Sequence, residues 1–274
     1  MKKCFLIFIV FCSITSLAQD LELNTSLMNC TFKIEGDKRL GTVFILGKPM
    51  RKDPKRAYYV LITAAHVLDT IKSDVATLNL RKKIGDSYTK KSIPISIRKN
   101  GHPLWTKHPE VDVAAMYVGI PDDIVFDLLP TNFLATDTIL QEFQIHPGDE
   151  LFCLGFPHGA EANDVGFPIL RSGKIASYPL KPIKKIKKFL FDFDVFGGNS
   201  GGPVYFVESN RNYAGGTHVG KIQFIAGIVI EQKYVKEKIV SLNETRETNY
   251  QLGLAIVVHA QFIKETIDML PLLD

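Results

Sequence analysis

A serine surrounded by glycines is the feature of this sequence with the clearest chemical meaning. Ser200 lies in the segment Gly197–Pro203, which reads GGNSGGP. Glycine adopts backbone angles that other residues resist and has no Cβ to obstruct a substrate, so an acyl group could approach the hydroxyl closely. Its N–H groups can also point into one space, as in an oxyanion hole. Because a serine hydroxyl alone is a weak nucleophile, the segment predicts a base and an orienting carboxylate elsewhere.

Both partners have candidates upstream of the serine. His66 follows the apolar run Tyr58–Ile62, which predicts a buried strand ending in a turn that brings the imidazole to a cleft. Asp112 interrupts the apolar segment Val111–Val118, where an acid is unfavourable unless it is hydrogen-bonded or paired. Pairing with the His66 ring would satisfy the carboxylate and fix the imidazole tautomer.

The three segments resemble the signature blocks of the chymotrypsin-like serine peptidases. The matching blocks are Thr63–His66, Asp112–Ala114 and Gly198–Pro203, in the order His, Asp, Ser that this family has and subtilisin does not. The resemblance extends over roughly Arg39–Ile267 and is greatest to the bacterial branch with the high-temperature-requirement proteases and the glutamyl endopeptidases. Further matching segments are Leu154–Pro157, Arg171–Ile175 and Leu252–Ile256.

The resemblance implies an all-β fold of two six-stranded antiparallel β-barrels with a C-terminal helix. Many short strand-like runs between Gly and Pro turn signals agree with such an architecture. These predicted strands include the segments 111–118, 150–155 and 224–230. We expect residues 19–130 to form the N-terminal barrel with His66 and Asp112, and residues 131–274 to form the C-terminal barrel with Ser200. Helical spacing of Phe262, Ile263, Ile267 and Leu270 predicts the final helix, packed on the second barrel.

The resemblance also assigns an oxyanion hole, made by the N–H groups of Gly198 and Ser200. Asn199 lies between them, where animal trypsin-like zymogens have an aspartate that pairs with the N-terminal amine freed by cleavage. An uncharged amide cannot make that ion pair. We therefore expect no zymogen activation of that kind.

Three further residues are candidates for substrate binding. Asp194, six residues before Ser200, matches the floor of the primary pocket in trypsin, which would favour Lys or Arg. Asp192 and Asp194 alternate with two phenylalanines, which puts both acids on one strand face, so a solvated or structural pair is the other interpretation. Val229 stands where glutamyl endopeptidases have a histidine, which argues against cleavage after Glu. Glu231 could contact the substrate or be a solvated strand end.

The N-terminus has the pattern of a secretory signal peptide. Lys2 and Lys3 precede the apolar run Cys4–Ile14, and Ser16–Ala18 offers small residues for cleavage. We therefore expect residues 1–18 to be removed and the protein to be secreted or periplasmic, with no membrane anchor after signal removal.

The two cysteines of the mature chain leave two structures open. In an oxidising compartment Cys30 and Cys153 could form one disulfide. Alternatively, Cys153 is simply a buried apolar residue. Sequence alone supplies no geometry to choose between them.

Composition and spacing exclude several other functions. The formal net charge of +4 gives no support for nucleic-acid binding. The histidines show neither the His-Glu-x-x-His pattern nor clustered Cys/His spacing, so we expect no metal and no cofactor. The lysine-rich segment 181–188 suits an exposed edge, and an anionic partner is the alternative. We expect no peptide-binding PDZ domain after Asp274.

The sequence thus predicts a trypsin-like serine endopeptidase acting on protein or peptide substrates. Ser200 would attack the carbonyl, His66 would carry the proton, and Asp112 would orient His66. Two alternatives remain open, a catalytically silent protease-like binding module and an esterase on the same fold. The nucleophile elbow of α/β-hydrolases fits poorly, because a proline-led strand pattern follows the serine and the candidate histidine lies upstream.

Overall fold

The computed structural model describes residues 22–240 and 245–273, so the predicted signal peptide at 1–18 lies outside the described residues. The all-β class is confirmed, and two separate antiparallel sheets carry most of the structure. Strands of the first half are β1 (Thr31–Gly36), β2 (Arg39–Pro49), β3 (Ala57–Thr63), β4 (Val75–Ile84), β5 (Ser87–Ser96), β6 (Arg98–Lys99), β7 (His102–Pro103), β8 (Thr106–Lys107) and β9 (Ala114–Tyr117). Those of the second half are β10 (Glu150–Gly155), β11 (Ile169–Ile175), β12 (Lys188–Asp192), β13 (Pro203–Tyr213), β14 (Gly216–Val240) and β15 (Thr245–His259).

The first sheet has seven strands in the order β5-β4-β1-β2-β3-β9-β8, where six in a closed barrel were expected. Its core is apolar, and β3 buries all of its residues except Tyr58. The outermost strand β5 is different, because most of its residues are exposed, including Lys90, while Lys91 is half-buried. Charged side chains of this kind are typical of a strand that ends a sheet and pairs on one side only.

The second half forms the predicted six-stranded closed barrel, in the order β10-β11-β12-β15-β14-β13. Alternation along β12 places Phe189 and Phe191 in the core and Asp192 in solvent. Strands β14 and β15 continue as a pair from Tyr234 opposite Gln251 onwards, beyond the predicted strand 224–230. The barrel strands therefore lie within 150–259, and the predicted boundary at residue 130 falls in the segment between the two sheets.

The α-helices of the described residues are α1 (Leu23–Cys30), α2 (Ala65–Thr70), α3 (Asp137–Glu142) and α4 (Ala260–Asp268). Helix α4 is the predicted C-terminal helix, and it buries Phe262, Ile263 and Ile267. It contacts β9 of the first sheet as well as β14 and β15, so it bridges the two halves and does not pack on the second barrel alone. None of the described helices is long and apolar enough to cross a membrane.

The first helix was not predicted, and a buried arginine explains how it is held. The Arg81 guanidinium donates to the carbonyls of Met28, Asn29 and Thr31, at and just beyond the end of α1. These carbonyls have no partners inside the helix. Arg81 also donates to the carbonyl of Gly166, so it links α1 to the second half of the chain.

The two cysteines are separate and buried. Cys30 and Cys153 are both free thiols, so the disulfide that the sequence left open is not formed. Burial raises the pKa of each thiol to about 12, which keeps both protonated. They behave as small apolar core residues.

Candidate active site

The orienting carboxylate lies in a loop and not in the strand predicted over Val111–Val118. Strand β9 begins at Ala114, and Asp112 belongs to the connection between β8 and β9. The connection is closed by a hydrogen bond from the His108 N–H to the Val113 carbonyl at 2.9 Å. A loop position frees the side chain from the alternating directions that a strand imposes, so the carboxylate can point toward His66.

The structure brings Asp112 and His66 together through two contacts. Asp112 Oδ2 lies 2.5 Å from His66 Nδ1, and Oδ1 accepts the His66 backbone N–H at 3.0 Å. The residue before α2, Ala64, has no side-chain oxygen to cap the helix, so Asp112 satisfies one of the free N–H groups of the first turn. Both the position and the ring plane of His66 are therefore fixed by one carboxylate.

The charge of Asp112 is stabilised by the same contacts. Burial by itself would raise the pKa of this carboxyl, but hydrogen bonds and charge interaction with His66 hold the pKa below its usual value. An ionised Asp112 only accepts, so the neutral His66 ring carries its proton on Nδ1. The lone pair of Nε2 is then free to take a proton, and the His66 side chain is 42% exposed.

The segment before Ser200 forms a turn that requires glycine. Asn199 N–H donates to the Phe196 carbonyl at 3.0 Å, and Gly198 has a φ of +100° while Gly197 has no positive φ. A positive φ at the third residue of a hydrogen-bonded turn defines type II, where glycine is favoured. A Cβ on Gly198 would also overlap the carbonyl of Phe156 and a methyl group of Leu40.

Two N–H groups in and beside this turn have no protein acceptor within the described ranges. The Gly197 carbonyl accepts the His158 N–H at 2.6 Å. In a trans peptide the C=O and the following N–H point in opposite directions, so the Gly198 N–H faces away from His158. From 198 to 202, the N–H groups of Asn199, Gly201 and Gly202 donate to backbone carbonyls, whereas those of Gly198 and Ser200 have no acceptor among the described residues. Two free donors beside one hydroxyl are the composition of an oxyanion hole.

Two threonine hydroxyls dock the serine turn against the first sheet. Thr42 on β2 donates its hydroxyl to the Gly198 carbonyl at 2.7 Å, and its N–H donates to the Ser200 carbonyl at 2.9 Å. The Thr63 hydroxyl in turn donates to the Thr42 carbonyl at 2.7 Å. Because Thr63 ends β3 three residues before His66, the serine turn lies beside the strand end that positions the histidine.

The Ser200 hydroxyl itself donates to the Ile230 carbonyl at 3.4 Å. This distance is long for an O–H···O hydrogen bond, which is usually near 2.7–2.8 Å. In the described part of the chain, no hydrogen bond joins Ser200 to His66. The neighbouring Asn199 side chain is buried, and its Nδ2 has no hydrogen-bond partner among the described residues. A rotation about the Cα–Cβ bond of Ser200 would release the hydroxyl from Ile230.

The three predicted substrate-binding residues differ in their surroundings. Asp194 is exposed, its Oδ1 lies next to Gly253 of β15, and its carbonyl accepts from Arg171 at 2.6 Å. Val229 is fully buried, so its side chain contacts the core, while its carbonyl accepts the Gly201 N–H. Glu231 is exposed and directly follows the residue that accepts from Ser200.

The sequence singled out Ser200, His66 and Asp112 but missed the groups that contact and hold them. Thr42, Thr63 and the His158 N–H were given no role, although Thr63 stands inside a matching block. His158 has a φ of +52° just before Gly159, a turn that its His-Gly sequence could have indicated. Among the described residues, no group of three or more His, Cys, Asp or Glu side chains could hold a metal ion.

Comparison with known proteins gives only distant similarity. No protein-family model and no curated protein sequence matches this chain. Two similar solved structures are of Rv3671c from Mycobacterium tuberculosis H37Rv, one a serine-to-alanine mutant in an inactive form and one the protease in an inactive form. Both are 16% identical, with TM-scores of 0.44 and 0.42, and each alignment covers 96% of this chain and 97% or 99% of the other. The all-β architecture described above is itself consistent with a chymotrypsin-like fold.

Proposed function

We propose that this protein is a serine endopeptidase that hydrolyses peptide bonds through an acyl-enzyme. The observation that carries the proposal is the Asp112 carboxylate, which fixes both the backbone N–H and the Nδ1 of His66. This arrangement leaves Nε2 unprotonated in the half-exposed ring, as a general base requires. The serine turn with its two free N–H groups lies beside the strand end that leads to His66.

Each group has one role in the proposed reaction. The Ser200 oxygen attacks the substrate carbonyl carbon while His66 Nε2 takes the hydroxyl proton. The substrate carbonyl oxygen becomes negative and accepts hydrogen bonds from the N–H groups of Gly198 and Ser200. Such a donor is worth about 3–4 kcal/mol to the transition state. His66 then gives its proton to the leaving amine, and a water molecule, activated by His66, hydrolyses the acyl-enzyme.

Specificity and location are parts of the same proposal. The position of Asp194 beside Gly253 supports a role in the primary pocket with preference for Lys or Arg. Arg171 opposes this preference. Its guanidinium donates to the Asp194 carbonyl and so adds positive charge beside the Asp194 carboxylate. We further propose that the protein is exported after removal of residues 1–18. A peptide-library cleavage profile indifferent to Lys and Arg would discard the role of Asp194.

The test uses purified mature protein with a fluorophosphonate probe and with casein. We expect wild-type protein to be labelled and to cleave casein, and Ser200→Ala to do neither. Labelling that persists in Ser200→Ala, or wild-type protein without labelling or cleavage, would contradict the proposal. A comparison of matched ester and amide substrates separates a peptidase from an esterase.

The bond from Ser200 to Ile230 favours a second candidate, a protease-like module that binds a partner without turnover. In that case the hydroxyl would keep its contact with the Ile230 carbonyl and never approach His66. Such a protein would fold normally and would resist the fluorophosphonate probe. The labelling experiment therefore separates the two functions directly.

A further inference from the structure

A buried histidine lies at the base of the loop that carries Asp112. His108 follows β8, and its N–H closes the connection to β9 by donating to the Val113 carbonyl. Its side chain is only 4% exposed, and its ring packs edge-on against Phe262 of α4, with ring centroids 5.1 Å apart. His108 belongs to none of the groups that the proposed reaction uses.

Both ring nitrogens of His108 have partners, and these partners fix its tautomer. Nδ1 accepts the backbone N–H of Glu110 at 3.1 Å, inside the Asp112 loop. Nε2 lies 3.4 Å from Oε2 of Glu265 on α4. Since a backbone N–H can only donate, Nδ1 carries no proton and Nε2–H donates to the carboxylate. His66 uses the opposite tautomer, so the two histidines have different roles.

The Glu265 carboxylate, which accepts from His108, also accepts hydrogen bonds from two other side chains. Oε2 of Glu265 accepts from Lys184 at 2.7 Å, and Oε1 accepts from Gln261 at 3.1 Å. Burial alone would raise the pKa of Glu265, but the hydrogen bonds from Lys184, Gln261 and His108 lower it, so the acceptor stays ionised. Helix α4 therefore presents a fixed negative group to the ring.

The lysine-rich segment 181–188 contributes to the same contact region. Lys184 pairs with Glu265, and Lys187 lies 3.4 Å from the carboxylate of Glu110 in the Asp112 loop. Two lysines of this segment thus meet acids of the helix and of the loop. His108 lies between the helix and the loop and contacts both, since its ring hydrogen-bonds to Glu265 of α4 and to the Glu110 N–H of the loop.

We propose that His108 is a positioning residue for Asp112, linking the loop that holds the carboxylate to the C-terminal helix. This inference rests on the proposed peptidase function. Asp112 must hold two N–H groups of His66 at once, so a small shift of its loop would weaken both contacts. Misplacement of a catalytic group by about 1 Å can lower the rate on the order of 100-fold.

The test compares two substitutions of His108 in the full mature protein. His108→Leu keeps an apolar side chain against Phe262 and removes both nitrogens. In His108→Asn, the amide oxygen stands near the position of Nδ1 and can again accept the Glu110 N–H. His102→Leu is the matched control, because His102 is exposed on β7.

We expect His108→Leu to lower kcat for an ester substrate about tenfold, with KM unchanged within about twofold. His108→Asn should recover most of the loss, and His102→Leu should behave as wild type. In proton NMR, the resonance of the His66 Nδ1 proton should broaden or shift in His108→Leu and return in His108→Asn.

Wild-type kcat in folded His108→Leu would overturn the inference. So would an activity loss that only follows the folded fraction, with the His66 resonance unchanged. If wild-type protein neither labels nor hydrolyses, the peptidase proposal fails separately. The NMR comparison then still decides whether His108 positions the Asp112–His66 pair.

Discussion

At the scale of single residues, the decisive interaction is the pair of contacts that Asp112 makes with the backbone N–H and with Nδ1 of His66. Both carboxylate oxygens of Asp112 accept from His66, whereas an Asn side chain has one acceptor oxygen and one donor NH₂ group. Asp112→Asn therefore loses one of the two acceptors. The ring can then place its proton on Nε2, which removes the base. We expect Asp112→Asn to fold normally and to lower kcat by about 10³–10⁴-fold.

The measurement is the rate of ester hydrolysis, with circular dichroism to confirm the fold. Asp69→Asn is a suitable control. Asp69 lies three residues after His66 on α2 and pairs with the exposed Lys107, but it contacts neither ring nitrogen of His66. Equal losses in Asp112→Asn and Asp69→Asn would show that general charge near the histidine matters more than the tautomer.

Residue types and their order predicted that Asp112 pairs with His66, and the structure joins the two by two contacts. Residue types and order were not enough to predict side-chain rotamers. The contact of Ser200 with the Ile230 carbonyl depends on a strand 30 residues further along the chain. The roles of Thr42 and His158 depend on side-chain and backbone contacts between sequence-distant segments, which leave no local pattern.

At the scale of elements, the type II turn at Phe196–Asn199 is the most sensitive structure of the site. Gly198→Ala introduces a Cβ at a φ of +100° that overlaps the Phe156 carbonyl. The turn would have to change, and the Gly198 N–H would leave the oxyanion hole. We expect kcat to fall by about 10²–10³-fold, as for loss of one such donor.

The neighbouring glycine provides the comparison for this prediction. A Cβ on Gly197 meets nothing within 4 Å, and its φ is not positive. Gly197→Ala should therefore keep the turn and lose far less activity. Steady-state kinetics of both variants on one ester substrate check this, and similar losses would mean that the turn geometry is not what the reaction needs.

Elements were well predicted where hydrophobic alternation meets a core, as in β10, which was expected at 150–155 and found at Glu150–Gly155. The extension of β14 and β15 beyond the barrel was missed. Its paired residues Val235 and Tyr250 are exposed on a two-stranded ribbon, so no core burial marks them in the sequence. Helix α1 was missed because its boundary is set by Arg81, 50 residues away.

At the scale of the whole molecule, the proposed function requires the two halves to meet at the serine turn. The Thr42 hydroxyl crosses between them and donates to the buried Gly198 carbonyl. Thr42→Val keeps the shape but leaves that carbonyl without this donor, which costs about 1–3 kcal/mol of unfolding free energy. We expect lower kcat as well, since the same carbonyl belongs to the serine turn with the proposed oxyanion hole.

Urea denaturation measures this effect, with Thr77→Val as the control on the exposed face of β4. An exposed substitution of this kind usually changes stability by less than about 0.5 kcal/mol. Equal stability of Thr42→Val and Thr77→Val would mean that the hydroxyl does not stabilise the junction.

The whole molecule should also lose stability in mild acid because of one buried histidine. His259 precedes α4, is 2% exposed and packs against the Phe189 ring at a tilt of 48°, and its Nε2 has no hydrogen-bond partner among the described residues. Burial lowers its pKa to about 4, from an ordinary value near 6.5, with a smaller opposing effect of Asp137. The unfolded chain therefore binds a proton more readily than the folded protein between these two pH values.

Stability from His259 is thus fully present above pH 6.5 and falls as the pH drops toward 4, by about 2–3 kcal/mol between pH 7 and pH 4.5. Carboxyls with lowered pKa values, such as Asp123 with a pKa of about 2, titrate mainly below pH 4.5 and so contribute little to this difference. Urea denaturation at both pH values should show a smaller loss in His259→Leu, whereas the exposed-site variant His102→Leu should lose as much as wild type. An unchanged loss in His259→Leu would mean that other groups make the fold acid-sensitive.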